Sequence, residues 1–380
     1  MSKIYQIIFI AMVVMSCSKN EKPVNLGFKV SDLQTEETEA KIQELVAKMT
    51  LKEKAGQMLN IGLPLILKGE YWDVRDSVNF DAKKFKKIII DYAVGSIHNT
   101  PQYPASREEW FRIVKKIQDS AMQNSRLGIP VLYGIDNIHG ANYVNGSILF
   151  PHQIGVAATW NIELSKLGGE ITSYESRAAS LPWNFNPNAD VAMNPIWGRI
   201  AESFGEDPYL ISEMTNAYIQ GSQEKGLQDK TSTAVCVKHF VGYGAGRNGK
   251  DRANAQIPEN SLRQYFLPPF EKAIQNGAMG VMISSNAVNG IPCHLNKNYI
   301  TDILKGELKF KGVVISDFND VEFLIDAHES AKDTREATKF AVNAGIDLLM
   351  NPFDADIVDI IVDLVEKGEI SKERIDDAVT

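Results

Sequence analysis

Short apolar runs separated by longer amphipathic stretches recur along most of this chain. Ile42, Leu45, Val46 and Met49 repeat at helical spacing, and a second stripe of that period covers residues 161–179; a helix turning once per 3.6 residues brings such positions onto one face. Between the helical stretches, residues 129–135, 233–237, 280–284, 312–316 and 346–350 are short, apolar and rich in branched side chains, the signature of buried strands. Alternation of this kind predicts an α/β fold on a parallel sheet, either an open doubly wound one or a closed eight-stranded barrel.

The polar residues that end these runs favour the barrel. Asp136 follows V-L-Y-G-I, Lys238 and His239 follow T-A-V-C-V, Ser284 and Ser285 follow V-M-I, and Asp317 follows V-V-I-S. Each alone reads equally well as a strand-end turn or cap. Four together match the habit of (β/α)8 TIM-like barrels, which gather their chemistry at the C-terminal ends of the strands. No G-x-G-x-x-G or Walker loop follows any of these strands, which removes the main support for a nucleotide-binding sheet.

Residues 194–208, N-P-I-W-G-R-I-A-E-S-F-G-E-D-P, concentrate special residues in one loop. Gly198 and Gly205 permit backbone conformations that other residues resist, prolines stiffen the flanks, and Arg199 offers a planar fork of donors beside Trp197. Such a loop suits a hydroxyl-rich ligand; the bland reading is a stiff turn around a buried Trp.

Composition narrows the partners. The chain has 380 residues and a net charge of −8, with 44% hydrophobic and 23% charged residues, ordinary for a folded soluble protein. The negative balance argues against nucleic acid, and the densest basic cluster, Lys83, Lys84, Lys86 and Lys87, reads as a solvated helix face. Cys236 and Cys293 have no metal-ligand spacing, and no C-x-x-C or H-E-x-x-H occurs, so neither a zinc site nor a cofactor is expected. Whether the two cysteines pair is not legible from spacing.

The ends carry their own signals. Lys3, an apolar run over residues 7–15 and Ser16 before Cys17 match a secretory signal rather than a membrane span. V-M-S-C also resembles a bacterial lipobox, in which Cys17 becomes the lipidated first residue; the plainer alternative is an ordinary cleaved signal. Residues 18–36 read as a tether, and residues 37–380 as the folded domain. The expectation is a protein exported and lipid-anchored to a bacterial membrane, in the periplasm or at the cell surface. At the other end Ser371 reads as an N-cap, and Ile375, Ala378 and Val379 begin a stripe that stops at Thr380 without a C-cap, which predicts a truncated product or a fragment of a longer protein.

Strand-end carboxylates with Arg, Lys, His and Trp, and no metal or cofactor motif, are what sugar chemistry asks for. A retaining glycosidase needs one carboxylate as nucleophile and a second as acid/base, about 5–5.5 Å apart; spacing alone names candidates without choosing among them. The motifs M-T-L-K-E-K-A-G-Q-M, G-I-D-N-I-H-G, F-P-H-Q-I-G, the W-G-R…E-S-F-G-E-D-P loop, V-K-H-F-V and F-K-G-V-V-I-S-D-F occur in that order, and with them the chain resembles glycoside hydrolase family 3, of the β-glucosidase and exo-glucanase type. The resemblance implies a lead domain related to the eight-stranded barrel. It makes Asp317 the nucleophile and gives Asp136, Arg199, Lys238 and His239 the hydroxyls of the first sugar. His139 is left outside the site.

Three departures qualify it. Ser285 stands where some relatives have an aromatic residue, and Phe318 replaces the commoner Trp after the nucleophile. In the β-glucosidase branch the acid/base comes from a following α/β sandwich domain, and this chain ends where the linker to it would begin. A single-domain branch, the β-N-acetylglucosaminidases, uses a His–Asp pair in a K-H-F-P-G-H-G…D-S-H loop; here the loop reads K-H-F-V-G-Y-G-A-G-R-N-G-K-D-R-A and lacks both parts. The leading expectation is therefore a retaining exo-acting β-glucosidase, or its barrel, acting on β-linked glucosyl oligosaccharides. The alternatives are the N-acetylglucosaminidase branch, a non-catalytic sugar-binding lipoprotein, and a Schiff-base lyase using Lys238.

Overall fold

Eight parallel strands form a ring in the computed structural model, which describes residues 35–380. They are β1 (Leu59–Gly62), β2 (Ser96–His98), β3 (Leu132–Ile135), β4 (Trp183–Asn184), β5 (Ala234–Phe240), β6 (Gly280–Ile283), β7 (Val313–Ile315) and β8 (Leu349–Met350). Neighbours pair in chain order, β8 pairs with β1, and a parallel bridge between Ile315 and Leu348 joins β7 to β8. The barrel, not the open sheet, is the observed fold. The expected signal, Cys17 and the expected tether up to residue 34 lie outside the described residues; Thr35 caps the first helix, Glu36–Lys48. Among the described residues no helix is long and apolar enough to cross a membrane.

The five apolar runs became β3 and β5 to β8, while β1, β2 and β4 carry no clear apolar run in the sequence. The reason is physical: Asn60, Ser96, His98 and Asn184 sit in these strands and are buried, so polar residues interrupt the apolar signal. Asn60, Ser96 and Asn184 have hydrogen-bond partners there, Asn60 Nδ2 donating to Ser96 Oγ at 2.8 Å and Asn184 Nδ2 to the Tyr218 hydroxyl at 3.0 Å. Trp183, Phe185, Cys236, Met282, Ile315, Leu348 and Met350 form a separate apolar cluster, and the half-buried Phe318 packs against it.

The stripe at 161–179 is helix Ile162–Ala178, capped by Asn161, but its inward face is the small one: Ser165, Gly169, Thr172, Ser173 and Ser176 are buried while Leu164 and Leu167 are exposed. Close approach to helix Pro208–Gln223 explains this choice. A Cβ on Gly221 would lie 1.9 Å from the carbonyl oxygen of Lys166, and one on Gly169 would lie 2.3 Å from that of Tyr218. The last helix, Lys372–Val379, is capped by Ser371 and held by Arg374, which donates to the Ile346 carbonyl at 2.9 Å.

Candidate active site

The loops at the C-terminal ends of β3, β5, β6 and β7 bring the expected residues to one mouth. Asp136 follows β3, Lys238 and His239 end β5, Ser285 follows β6 and Asp317 follows β7. Lys238 and His239 are adjacent, and in a regular strand adjacent side chains point to opposite faces. A register shift between Lys238 and Phe240 relieves that constraint: Lys238 pairs with Met282 and Phe240 with Ile283, leaving His239 as the extra residue of a bulge. Both side chains then serve the site, Lys238 in an ion pair with Asp136 and His239 in contact with two aspartates.

Asp317 is nearly buried and held from several sides. Oδ1 accepts from the Phe318 amide at 2.6 Å, and Oδ2 accepts from Ser285 Oγ at 3.0 Å. His239 Nε2 lies 3.5 Å from Oδ2. The Asp317 amide donates to His294 Nε2 at 3.2 Å; burial drives the His294 pKa down to about 3, so the ring is neutral and serves as the acceptor. Burial works to raise the Asp317 carboxyl, but Arg199 and Lys238, with the hydrogen bonds from Phe318 and Ser285, outweigh it and hold the group below the ordinary aspartate value.

Asp190, a residue without any sequence signal, positions His239. The chain after β4 runs beside β5, with the Lys238 amide donating to Pro187 O at 3.1 Å and the Ala189 amide to Lys238 O at 2.6 Å. This places Asp190 Oδ2 2.7 Å from His239 Nδ1, both side chains fully buried. Burial raises the Asp190 carboxyl to about 8 and pushes His239 well below the ordinary imidazole value, Arg199 and Lys238 adding to the latter. With Nδ1 committed, Nε2 is the nitrogen turned to Asp317, and it has no hydrogen-bond partner of its own.

The loop over residues 194–208 supplies Arg199. Its fork grips Glu202, Nε to Oε1 at 3.0 Å and Nη2 to Oε2 at 2.6 Å, and lies 5.2 Å over the Tyr243 ring. Trp197 is buried rather than offered to a ligand: it packs edge-on to Tyr243 and donates from Nε1 to Asp251 at 3.3 Å. Gly205 has φ +111°, so the special backbone expected there is real. Glu202 was visible in the quoted motif, and its i, i+3 spacing from Arg199 is the signal that would have paired them. His294 had none, because its contact with the Asp317 amide joins residues distant in sequence.

Cys236 and Cys293 are both buried free thiols, and burial raises Cys293 to about 12 and Cys236 further. Among the described residues, no group of three or more His, Cys, Asp or Glu side chains is placed to hold a metal ion.

Residues 50–380 match the model of the glycosyl hydrolase family 3 N-terminal domain. Curated relatives include a lysosomal β-glucosidase of Dictyostelium discoideum, 36% identical over 88% of this chain and 42% of the relative, and a periplasmic β-glucosidase of Salmonella typhimurium, 31% identical over 91% and 41%. Among solved structures, a Listeria innocua β-glucosidase in complex with isofagomine aligns with TM-score 0.75 at 33% identity, over 90% of this chain and 44% of that one. An exo-1,3/1,4-β-glucanase of a Pseudoalteromonas species aligns with TM-score 0.79 at 30% identity, over 91% and 42%. The chain thus spans less than half the length of these relatives.

Proposed function

The chain belongs to glycosyl hydrolase family 3, and from that premise we propose that it is the catalytic barrel of a retaining, exo-acting β-glucosidase. The observation that carries the reading is Asp317 itself: a nearly buried carboxylate at the barrel mouth, kept ionised by Arg199 and Lys238. An ionised carboxylate attacks the anomeric carbon as the bond to the departing oxygen breaks, forming a glycosyl ester. Water then attacks from the face opposite the ester, the one the departing oxygen left, breaks the ester bond and frees the carboxylate, so two inversions give net retention.

Asp136, Arg199, Lys238 and His239 bind the hydroxyls of the terminal glucosyl unit. Charged partners form hydrogen bonds roughly twice as strong as neutral ones, which supports discrimination between sugar epimers. The unpartnered Nε2 of His239, beside Asp317, is the atom most in need of such a ligand. Of the carboxylates beside this centre, Asp136 is committed to Lys238 and Glu202 to Arg199, and Asp190 and Asp320 are fully buried. None of these four is free to protonate a leaving oxygen, so the general acid is assigned to a group outside them.

The test is the intact mass of the chain after incubation with an activated 2-deoxy-2-fluoro-β-glucoside, whose good leaving group needs no acid. A stoichiometric adduct on the peptide holding Asp317, absent in Asp317→Ala, is the expected result. Glucose binding without an adduct would instead establish a sugar-binding protein that turns nothing over.

Export and a lipid anchor at Cys17 complete the reading, supported by the V-M-S-C sequence and by the periplasmic relative. Replacing Cys17 by Ser should move the protein from the membrane fraction to the soluble one; an unchanged distribution would remove the anchor.

A further inference from the structure

Beside Asp317 lies a second carboxyl group that the proposed chemistry leaves without a task. Asp320 opens helix Asp320–Asp326 and is 1% exposed. Its amide donates to the Asp317 carbonyl at 3.2 Å, which ties the two residues into one turn. Among the described residues neither oxygen of the Asp320 side chain has a hydrogen-bond partner. Two ionised carboxylates packed together out of water repel one another and lose their hydration, a cost that is relieved when one of them carries a proton.

The hydrogens around the pair indicate which one carries it. Ser285 has a single hydroxyl hydrogen and gives it to Asp317 Oδ2 at 3.0 Å, while the Phe318 amide serves Oδ1 at 2.6 Å. Asp320 receives neither. What it faces is an acceptor: Oδ2 lies 3.7 Å from His294 Nε2, the nitrogen that already accepts from the Asp317 amide at 3.2 Å. Burial keeps that ring neutral. A lone pair repels an ionised carboxylate and attracts a protonated one. The other charged or titratable groups around Asp320 are Asp317, Arg199, Arg252 and the Cys293 thiol, with His328 holding the Ser285 carbonyl oxygen 3.1 Å from its Nε2. Burial first, and the charge of Asp317 second, raise the Asp320 carboxyl well above the ordinary aspartate value; Ser285 and the two arginines oppose this without prevailing.

We propose that Asp320 is a positioning residue for Asp317 that works un-ionised: its proton lies towards His294 Nε2, and its neutrality leaves the hydroxyl hydrogen of Ser285 to Asp317. An ionised Asp320 would compete for that hydrogen and set a like charge beside the attacking carboxylate. The neutral acid fills the same space with a polar group and adds no charge. The proposal rests on the reading of Asp317 as nucleophile, and adds to it that one resident proton on Asp320 confines the negative charge of the pair to Asp317.

Infrared difference spectroscopy of the parent chain minus Asp320→Asn at pH 7 tests the proton directly. The expected spectrum holds the carbonyl band of an un-ionised carboxylic acid, shifting in deuterium oxide; the subtraction cancels carboxyls elsewhere, such as Asp190, which burial raises to about 8. Carboxylate bands in its place overturn the proposal. The rate of adduct formation with the activated 2-deoxy-2-fluoro-β-glucoside then reads the positioning. Asp320→Asn, neutral and of the same shape, should react within about threefold of the parent with its acid limb unmoved, whereas Asp320→Ala should be slower by about tenfold. An acid limb about one pH unit lower in Asp320→Asn would mean that a charge had been removed, and overturns the proposal as well. Equal rates in Asp320→Ala and the parent overturn the positioning role. A parent that shows the acid band but forms no adduct upholds the un-ionised Asp320 and removes the glucosidase reading instead.

Discussion

Ser285 donates its hydroxyl to Asp317 Oδ2 at 3.0 Å, at a position where some members of the family carry an aromatic ring. A hydrogen bond to a charged group contributes about 1.5–3 kcal/mol. Ser285→Ala should therefore raise the Asp317 pKa, moving the acid limb of kcat/KM for an activated aryl β-glucoside upward by about one pH unit. In the parent chain that limb should lie below the ordinary aspartate range, because Arg199 and Lys238 depress the carboxyl against its burial. A pH profile that superimposes on the parent's would show that the serine does not tune Asp317.

Arg199 holds Glu202 as well as facing the proposed sugar site, so its loss should register in stability as well as in binding. Burial works to raise Glu202, and Arg199 overrides it to leave the group below its ordinary value. A depressed carboxylate contributes stability above its unfolded pKa and loses it as pH falls through the folded one. Arg199→Ala should therefore cost about 1–2 kcal/mol at pH 7, discounted because both side chains are about one-fifth exposed, and the deficit should shrink below about pH 4. Urea midpoints at the two pH values measure this. Arg199→Lys should not restore affinity, since an ammonium lacks the planar fork.

Gly221→Ala tests the helix pair on the outside of the barrel. The added methyl would collide with the Lys166 carbonyl at 1.9 Å, and backbone on both sides leaves no flexible group to yield. The expected loss is about 2–3 kcal/mol or more, read from the shift of a denaturant midpoint. A shift under about 0.5 kcal/mol would mean that the two helices separate easily.

Leaving-group dependence probes the general acid. If no carboxylate of this site protonates the departing oxygen, substrates with good leaving groups should react well. Poor ones should be slower by the general-acid contribution, about 10²–10⁴-fold. A series of aryl β-glucosides of graded phenol pKa gives the slope. A flat plot would place a working acid within the chain.

Much of this protein was written locally. The apolar runs at β3 and β5 to β8, the stripe at 161–179 and the polar residues after the strands all follow from near neighbours in sequence, which is why Asp136, Lys238, His239 and Asp317 could be named as strand-end residues. The roles proposed for them rest on the ordered motifs. Asn60, His98 and Asn184 concealed β1, β2 and β4, because the barrel buries polar groups that a periodicity reading assigns to the surface.

Tertiary structure alone decided the rest. Closure of the ring by Ile315 and Leu348 chose the barrel over the open sheet, and the β5 bulge let two adjacent residues serve one site. The contacts of Asp190 with His239, of His294 with the Asp317 amide, and of Trp72 with Phe353 join residues tens to hundreds of positions apart. Sequence determines which side chains are available; only the folded chain sets their separations, and hydrogen bonds, pKa shifts and ring contacts all depend on distance.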